Sequence, residues 1–221
     1  AVITFPGSNC DRDAITYLRD LTNNEVLNIW HAETSMPSVD LIILPGGFSF
    51  GDYLRSGAMA SKSRIIPEVI KHANSGRFLL GICNGFQILS EIGLLKGALI
   101  QNNKLKFLGK DCFVKKKHEN NFNKLIKKDQ VLQIPVAHNE GNFYCNNNDL
   151  NYLNDKELIA FEYCKGSFSN SVANINGSIN NIAGITNEKK NVLGMMPHPE
   201  RAYQSFHSSM DGKSIIGSLI S

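Results

Sequence analysis

The chain has 221 residues, 42% of them hydrophobic and 19% charged, with a net charge of +3. That length is enough for one domain, or two small ones, with a core that needs no staple. A charge this small gives no footprint for nucleic acid, and no apolar run approaches the ~18–20 residues of a membrane span.

Ala1 to Phe5 is a short apolar run ended by Pro6-Gly7, with Ser8 or Asn9 placed to cap a following helix. Asp11 to Leu21 has helical spacing, with Ala14, Ile15, Leu18 and Leu21 on one face. Glu25–Trp30 reads as a strand. So does the continuous apolar run Asp40–Leu44, which stops at Pro45-Gly46-Gly47. A helix over Arg64–Asn74 breaks at Ser75-Gly76, and an all-apolar strand follows at Phe78–Ile82, then a helix at Phe86–Ile92. Strands apolar on both faces and alternating with helices predict a parallel sheet covered on both sides.

The second half changes character. Strands are expected between Lys104 and Pro135, and again at Leu158–Tyr163, Ser171–Ile175, Ile182–Ile185 and Val192–Met196, with Asn-rich turns such as Asn146-Asn147-Asn148 between them. Ser214–Ile220 closes with a helix. Nine lysines fall between Lys104 and Lys128, where alternation with apolar residues predicts a strand pair with a solvated lysine face. No repeat or linker divides the chain. The expectation is one α/β domain over residues 1–221, with a mostly parallel central sheet, flanking helices and an antiparallel extension.

Cys83 carries the most chemistry. In Gly81-Ile82-Cys83-Asn84-Gly85 an apolar strand meets a helix at a cysteine with glycine at −2 and +2. This is the cysteine form of the nucleophile elbow, a sharp turn that side chains at ±2 would obstruct. It places the sulfur at a helix N-terminus, where the partial positive charge favours an anionic nucleophile, and makes the Asn84 N–H an oxyanion donor. Taken alone, Cys83 also fits a buried structural cysteine. Cys10, near another helix start, lacks flanking glycines and reads, with Cys112, Cys145 and Cys164, as structural or incidental. These five cysteines form no CxxC pair and leave one over under any disulfide scheme, which favours a reduced cytoplasm. The opening AVITFPGSN has no secretory-signal pattern.

A cysteine nucleophile needs a proton shuttle and an orienter. Of six histidines, only His198 has an acid in its own local geometry, in Met196-Pro197-His198-Pro199-Glu200-Arg201. The flanking prolines predict an extended segment, in which Glu200 at i+2 shares a face with His198. Gly47, at the end of the Asp40–Leu44 strand, offers a second oxyanion N–H, with a simple strand-ending turn as the alternative. No metal-ligand spacing is visible. Gly212-Lys213-Ser214 ends like a phosphate loop, but His207 stands where its first glycine is required.

In chain order, Pro45-Gly46-Gly47, Gly81-Ile82-Cys83-Asn84-Gly85-Phe86-Gln87 and His198-Pro199-Glu200 resemble the class I (triad) glutamine amidotransferases. Phe5-Pro6-Gly7-Ser8-Asn9, Gly51-Asp52-Tyr53-Leu54-Arg55 and Met196 to Ala202 narrow the resemblance to the glutaminase subunits of phosphoribosylformylglycinamidine synthase, the PurQ type. The resemblance implies a flavodoxin-like fold and hydrolysis of L-glutamine through a Cys83 thioester. His198 and Glu200 would complete the triad, and Gly47 and Asn84 would hold the oxyanion. Gln87 would help bind glutamine, together with the loop of His138 and Asn139, where Asn139 replaces a glycine and is suited to left-handed geometry. Asn176-Gly177-Ser178 matches a supporting or interface loop. The ammonia would pass to a separate PurL-type synthetase, commonly with a small PurS-type subunit, and ATP and magnesium would belong to that partner. Phe48–Arg55 is a candidate partner contact, with a plain surface loop as the alternative. Two other readings stay open: a glutaminase serving GMP or CTP synthesis, and a regulatory subunit of the same fold without turnover.

Overall fold

The computed structural model describes residues 1–166 and 172–220. Short strands alternate with helices through the first half: β1 (Val2–Thr4), α1 (Asp11–Thr22), β2 (Asn28–Trp30), β3 (Leu41–Leu44), α2 (Ile66–Asn74), β4 (Phe78–Ile82) and α3 (Asn84–Glu91). The second half adds β5 (Ala98–Ile100), β6 (Leu108–Lys116), β7 (Val131–His138), β8 (Asn142–Tyr144), α4 (Asn147–Asp155), β9 (Ile159–Tyr163), β10 (Ile182–Thr186), β11 (Val192–Met195) and α5 (Lys213–Ile220). Nine strands form one sheet in the order β2-β1-β3-β4-β11-β10-β9-β6-β7, and β5 pairs with β8 separately. The pairings from β2 across to β11 are parallel, and those from β11 to β7 are antiparallel. The α/β arrangement with a parallel centre and an antiparallel extension is the expected one.

Burial explains the pattern. Ile42, Ile43 and Leu44 of β3 and Leu79, Leu80 and Ile82 of β4 are fully buried, since helices cover both faces. The β6 and β7 strands alternate instead, burying Cys112, Val114, Leu132, Ile134 and Val136. The expected lysine face does not form: Lys110 shares its side of β6 with Cys112 and Val114, and the exposed Lys104, Lys106, Lys124, Lys127 and Lys128 lie in loops outside the two strands. The α1 helix buries Ala14, Tyr17 and Leu18, carries Asp11 and Asp13 in its first turn, and ends at Asn23 in a left-handed cap. Buried apolar side chains from both halves join one continuous cluster. Among the described residues, no helix is long and apolar enough to cross a membrane.

Three local readings change. The run Asn146-Asn147-Asn148 starts a helix rather than a turn, because the Asn146 side chain caps α4 by accepting a hydrogen bond from the Asp149 N–H at 2.8 Å. The strand expected from Glu25 begins only at Asn28. Of the expected strand Ser171–Ile175, Ser171 lies outside the described residues and residues 172–175 form no ladder.

In a parallel sheet, binding crevices open at the carboxyl ends of the strands. Here β1 leads to Phe5-Pro6, β3 to Pro45-Gly46, β4 to Cys83 and β11 to Met196, all on that edge.

Candidate active site

Cys83 lies between β4 and α3 with φ 52° and ψ −104°, a left-handed conformation that non-glycine residues rarely adopt. Its N–H donates to Met195 O at 2.8 Å, and its carbonyl accepts the Gln87 N–H as α3 begins. The flanking glycines are required by close approach. A Cβ on Gly81 would meet Leu89 Cδ1 at 2.5 Å and Gly85 O at 2.7 Å, and one on Gly85 would run into the carbonyl of Leu44. The elbow foreseen from glycine spacing is therefore present. Its thiol is buried and points to Ala137 O at 3.6 Å.

The β11 strand lies beside β4 in parallel register, with Met195 opposite Ile82. The chain leaving β11 thus carries His198 to the same edge as Cys83. The His198 N–H donates to Pro135 O at 2.8 Å, which anchors the segment to β7. His198 Nδ1 donates to Glu200 Oε1 at 2.6 Å, with both side chains only 1% exposed. The segment is not extended throughout, as the prolines had suggested. Pro199–Arg201 form one 3-10 turn, closed by the Arg201 N–H onto His198 O at 3.1 Å. Pro199 takes the first helical position, where its fixed φ suits a turn and its missing N–H costs nothing. The i to i+2 contact survives in this different backbone. Burial alone would push the His198 imidazole down, but the Glu200 carboxylate and the thiols of Cys83 and Cys10 outweigh it and hold it well above its usual range. Its Nε2 has no hydrogen-bond partner.

Gly46 packs against the His198 ring, and Gly47, at φ +127°, bridges to Ser8 in the loop after β1. The Asn84 side chain braces the chain beyond Gly47: its Oδ1 accepts from the Ser49 N–H at 3.3 Å, while its Nδ2 donates to Gln87 Oε1 at 2.9 Å and Asp52 Oδ1 at 3.5 Å. Gln87 Nε2 donates to Glu140 O at 2.6 Å, so this side chain clasps the His138-Asn139-Glu140 loop to α3. Asp52, half-buried and facing Glu140, has its carboxyl raised to about 6, first by burial and then by Glu140, against a hydrogen bond from Ser56.

Asn102 fixes His138. Its Nδ2 donates to Lys106 O and His138 O, so its Oδ1 must be the group that accepts from the Gly141 N–H and from His138 Nδ1, both at 3.1 Å. His138 is therefore neutral with a bare Nε2, and burial together with the nearby His198 lowers it to about 3. Asn139 stands exposed at the rim, and its φ is not left-handed, so replacing glycine there asks nothing of the backbone. Asn176 donates to Gly141 O at 2.7 Å, and Ser178 Oγ accepts from the Phe143 N–H, which supports this loop from behind.

Of the two readings of Cys10, structural or incidental, its burial fits the first. At the start of α1 its sulfur also lies beside the His198 ring and the Glu200 carboxylate, with one ligating atom of each within 4.8 Å of the others, a placement its spacing did not indicate. The loop after β1 carries it there by pairing with Gly47. Asn102 and Asp52 also lay outside sequence reasoning, since their partners are distant in the chain. Gly212 is a packing residue buried against Pro199, and its carbonyl accepts the Tyr17 hydroxyl at 2.5 Å. The exposed rim beside the site includes Phe48, Tyr53, Leu54 and Phe107.

Residues 1–216 match the CobB/CobQ-like glutamine amidotransferase domain family. The chain is 46% identical over 221 residues to the phosphoribosylformylglycinamidine synthase subunit PurQ of Pelagibacter ubique, covering 100% of this chain and 97% of the relative. It is 48% identical over 214 residues to the same-named subunit of Synechocystis sp., covering 96% and 95%. A chain in the solved structure of PurLQS from Thermotoga maritima superposes with a TM-score of 0.87 at 39% identity, over 99% of this chain and 95% of that one. A glutamine amidotransferase structure from Thermotoga maritima shares the fold at a TM-score of 0.59 and 17% identity, over 91% and 75%.

Proposed function

The chain belongs to the CobB/CobQ-like glutamine amidotransferase family, and from that premise we propose that it is the glutaminase subunit of phosphoribosylformylglycinamidine synthase, in purine biosynthesis. The observation that carries the chemistry is the left-handed Cys83 at the start of α3, one strand away from a buried His198–Glu200 pair.

In this reading His198 Nε2 already holds the proton taken from Cys83, and the resulting thiolate attacks the side-chain amide carbon of L-glutamine. The backbone N–H groups of Gly47 and Asn84 hold the oxyanion, a contribution of ~100–1000-fold per donor. The imidazolium gives its proton to the amide nitrogen, the C–N bond breaks, ammonia leaves, and a γ-glutamyl thioester remains on Cys83. His198 then takes a proton from water, whose oxygen attacks the thioester and releases glutamate. Glu200 keeps Nδ1 protonated, so Nε2 is the atom that gives and takes the proton at each step. Neutral His138 and the Gln87-braced loop shape the glutamine pocket, and the exposed Asn139 marks its rim.

The ammonia passes to an ATP-dependent PurL-type synthetase, with a small PurS-type subunit completing the complex. ATP and magnesium belong to the synthetase. The likeness to PurLQS supports the partnership, and the rim of Phe48, Tyr53 and Leu54 is the surface we assign to it. Five free thiols support a reduced, cytoplasmic setting. The test is reconstitution with the synthetase. Cys83→Ala should abolish glutamine-dependent amidine formation and leave ammonia-dependent formation intact. Glutamine-dependent synthesis surviving in Cys83→Ala would sink the mechanism, and recovery of the chain with a GMP or CTP synthetase instead would reassign the partner.

A further inference from the structure

Cys10 is not the nucleophile of the hydrolysis assigned to Cys83, yet it is buried with its sulfur beside the proton shuttle. Cys10 Sγ, a ring nitrogen of His198 and a carboxylate oxygen of Glu200 all lie within 4.8 Å of one another. The Cε1–Nδ1 edge of the ring lies on the Gly46 side with Cys10: a Cβ placed on Gly46 would fall 2.6 Å from His198 Cε1, 3.3 Å from His198 Nδ1 and 3.2 Å from Cys10 Sγ. Nδ1 is also the nitrogen that meets Glu200. Thiol, imidazole and carboxylate together are the donor set of a borderline-soft divalent cation.

One further observation points to a ligand, and a second gives it a way in. Glu200 Oε2 is buried without a hydrogen-bond partner, although its residue is 1% exposed. A surface hollow of about 330 Å³, lined by Asp13, Glu200, Arg201, Tyr203 and His207, reaches Glu200 from outside. Arg201 on its wall is met by Asp13 at 2.8 Å, so its charge does not stand alone against an incoming cation.

We propose that Cys10, His198 and Glu200 form an inhibitory zinc-class site at the back of the triad. Tetrahedral zinc with bonds of about 2.0–2.3 Å keeps its ligands roughly 3.3–3.8 Å apart, so side-chain adjustments of about an ångström close the site. Coordination takes the proton from the Cys10 thiol and releases it to solvent. It also takes the place of the Nδ1 proton that Glu200 accepts; that proton is released to solvent, and the imidazole is left protonated at Nε2 alone. His198 then has no lone pair facing Cys83, and the shuttle stops. Binding does not depend on the glutaminase reading, whereas the inhibition rests on it.

The experiment titrates Co2+ into the full chain and follows its near-ultraviolet sulfur-to-metal charge-transfer band. Wild type and Cys83→Ser should both show the band, and Cys10→Ser should lose it. In the reconstituted complex, Zn2+ should stop glutamine hydrolysis, EDTA should restore it, and Cys10→Ser should need at least about tenfold more Zn2+ for half-inhibition, each protein referred to its own metal-free rate. If Cys10→Ser does not fold, Zn2+ should instead protect Cys10 of the wild type from iodoacetamide, read by peptide mass spectrometry. A band that survives in Cys10→Ser, a band lost in Cys83→Ser, no band in wild type, or unchanged alkylation overturns the site. A metal-free wild type that releases no glutamate beside its synthetase overturns the glutaminase reading and leaves the Co2+ result standing.

Discussion

Glu200→Gln separates the charge of this carboxylate from its shape. The bond it perturbs is short and wholly buried, 2.6 Å from His198 Nδ1 to Glu200 Oε1 with both side chains 1% exposed. A hydrogen bond to a charged group contributes ~1.5–3 kcal/mol. At about 1.36 kcal/mol per tenfold in rate, that alone is roughly 10- to 150-fold. A glutamine amide can also turn its NH2 toward Nδ1 and hold the ring in the wrong tautomer, an effect of ~10⁴ in serine-protease triads. The expected loss is therefore about 10² to 10⁴ in kcat, with kcat/KM falling equally, since Glu200 acts through the ring and not on bound substrate. Without the carboxylate the largest upward pull on the imidazole is gone and it falls from its raised position, so the limb of the pH profile set by His198 moves to lower pH. The assay is glutamate release by the chain reconstituted with its synthetase, measured across pH beside a melting curve. A variant within about threefold of wild type, with the same limb, refutes the role given to Glu200.

Other residues give separate tests. Gly85→Ala drives a Cβ into the Leu44 carbonyl; overpacking of ~1–3 kcal/mol lowers the melting temperature by about 2–12 °C. The same change displaces Cys83 and should cost roughly 100-fold in turnover, and wild-type values for both would remove the steric argument. Asp52 holds its proton to about 6 when folded against 3.8 as its ordinary value. Between those pH values the native chain binds more protons than the unfolded one, so stability falls as pH rises. Asp52→Asn should remove that slope in melting temperature, and since Asp52 is only half-buried the gain above pH 6 is a fraction of the ~1.4 kcal/mol per pH unit; an unchanged slope contradicts the assignment. Tyr53 and Leu54 are 76% and 85% exposed, so Tyr53→Asp with Leu54→Asp should leave the melting curve alone. The double change should weaken synthetase binding by about 30-fold or more, as two interface anchors would. Calorimetry showing wild-type affinity would move the interface elsewhere.

The elbow was legible because its demand is local: glycines at 81 and 85 flank the cysteine within one turn of chain. The His198–Glu200 pair was legible for the same reason, although the backbone joining them is a turn and not a strand. Helix α4 escaped because Asn146, Asn147 and Asn148 suit a turn as well as a cap, and the tertiary setting decides which. Cys10 escaped because its neighbours in space, His198 and Glu200, come 188 and 190 residues later. Asn102 is similar: its importance lies in four hydrogen bonds to groups on separate loops, and no spacing in the sequence announces them.

The boundary between parallel and antiparallel pairing falls at β11, and Cys83 and His198 leave the sheet on either side of the β4–β11 ladder. Their separation is thus inherited from one interstrand spacing, closed by the Cys83 N–H on Met195 O. The segment from Phe48 to Arg55 belongs to neither strand. It is nonetheless tied to the start of α3, since the Ser49 N–H and the Asp52 carboxylate both bond the Asn84 side chain. Exchanging that segment for another sequence would therefore also disturb the backbone next to Cys83, and the loop and the ladder can change only together.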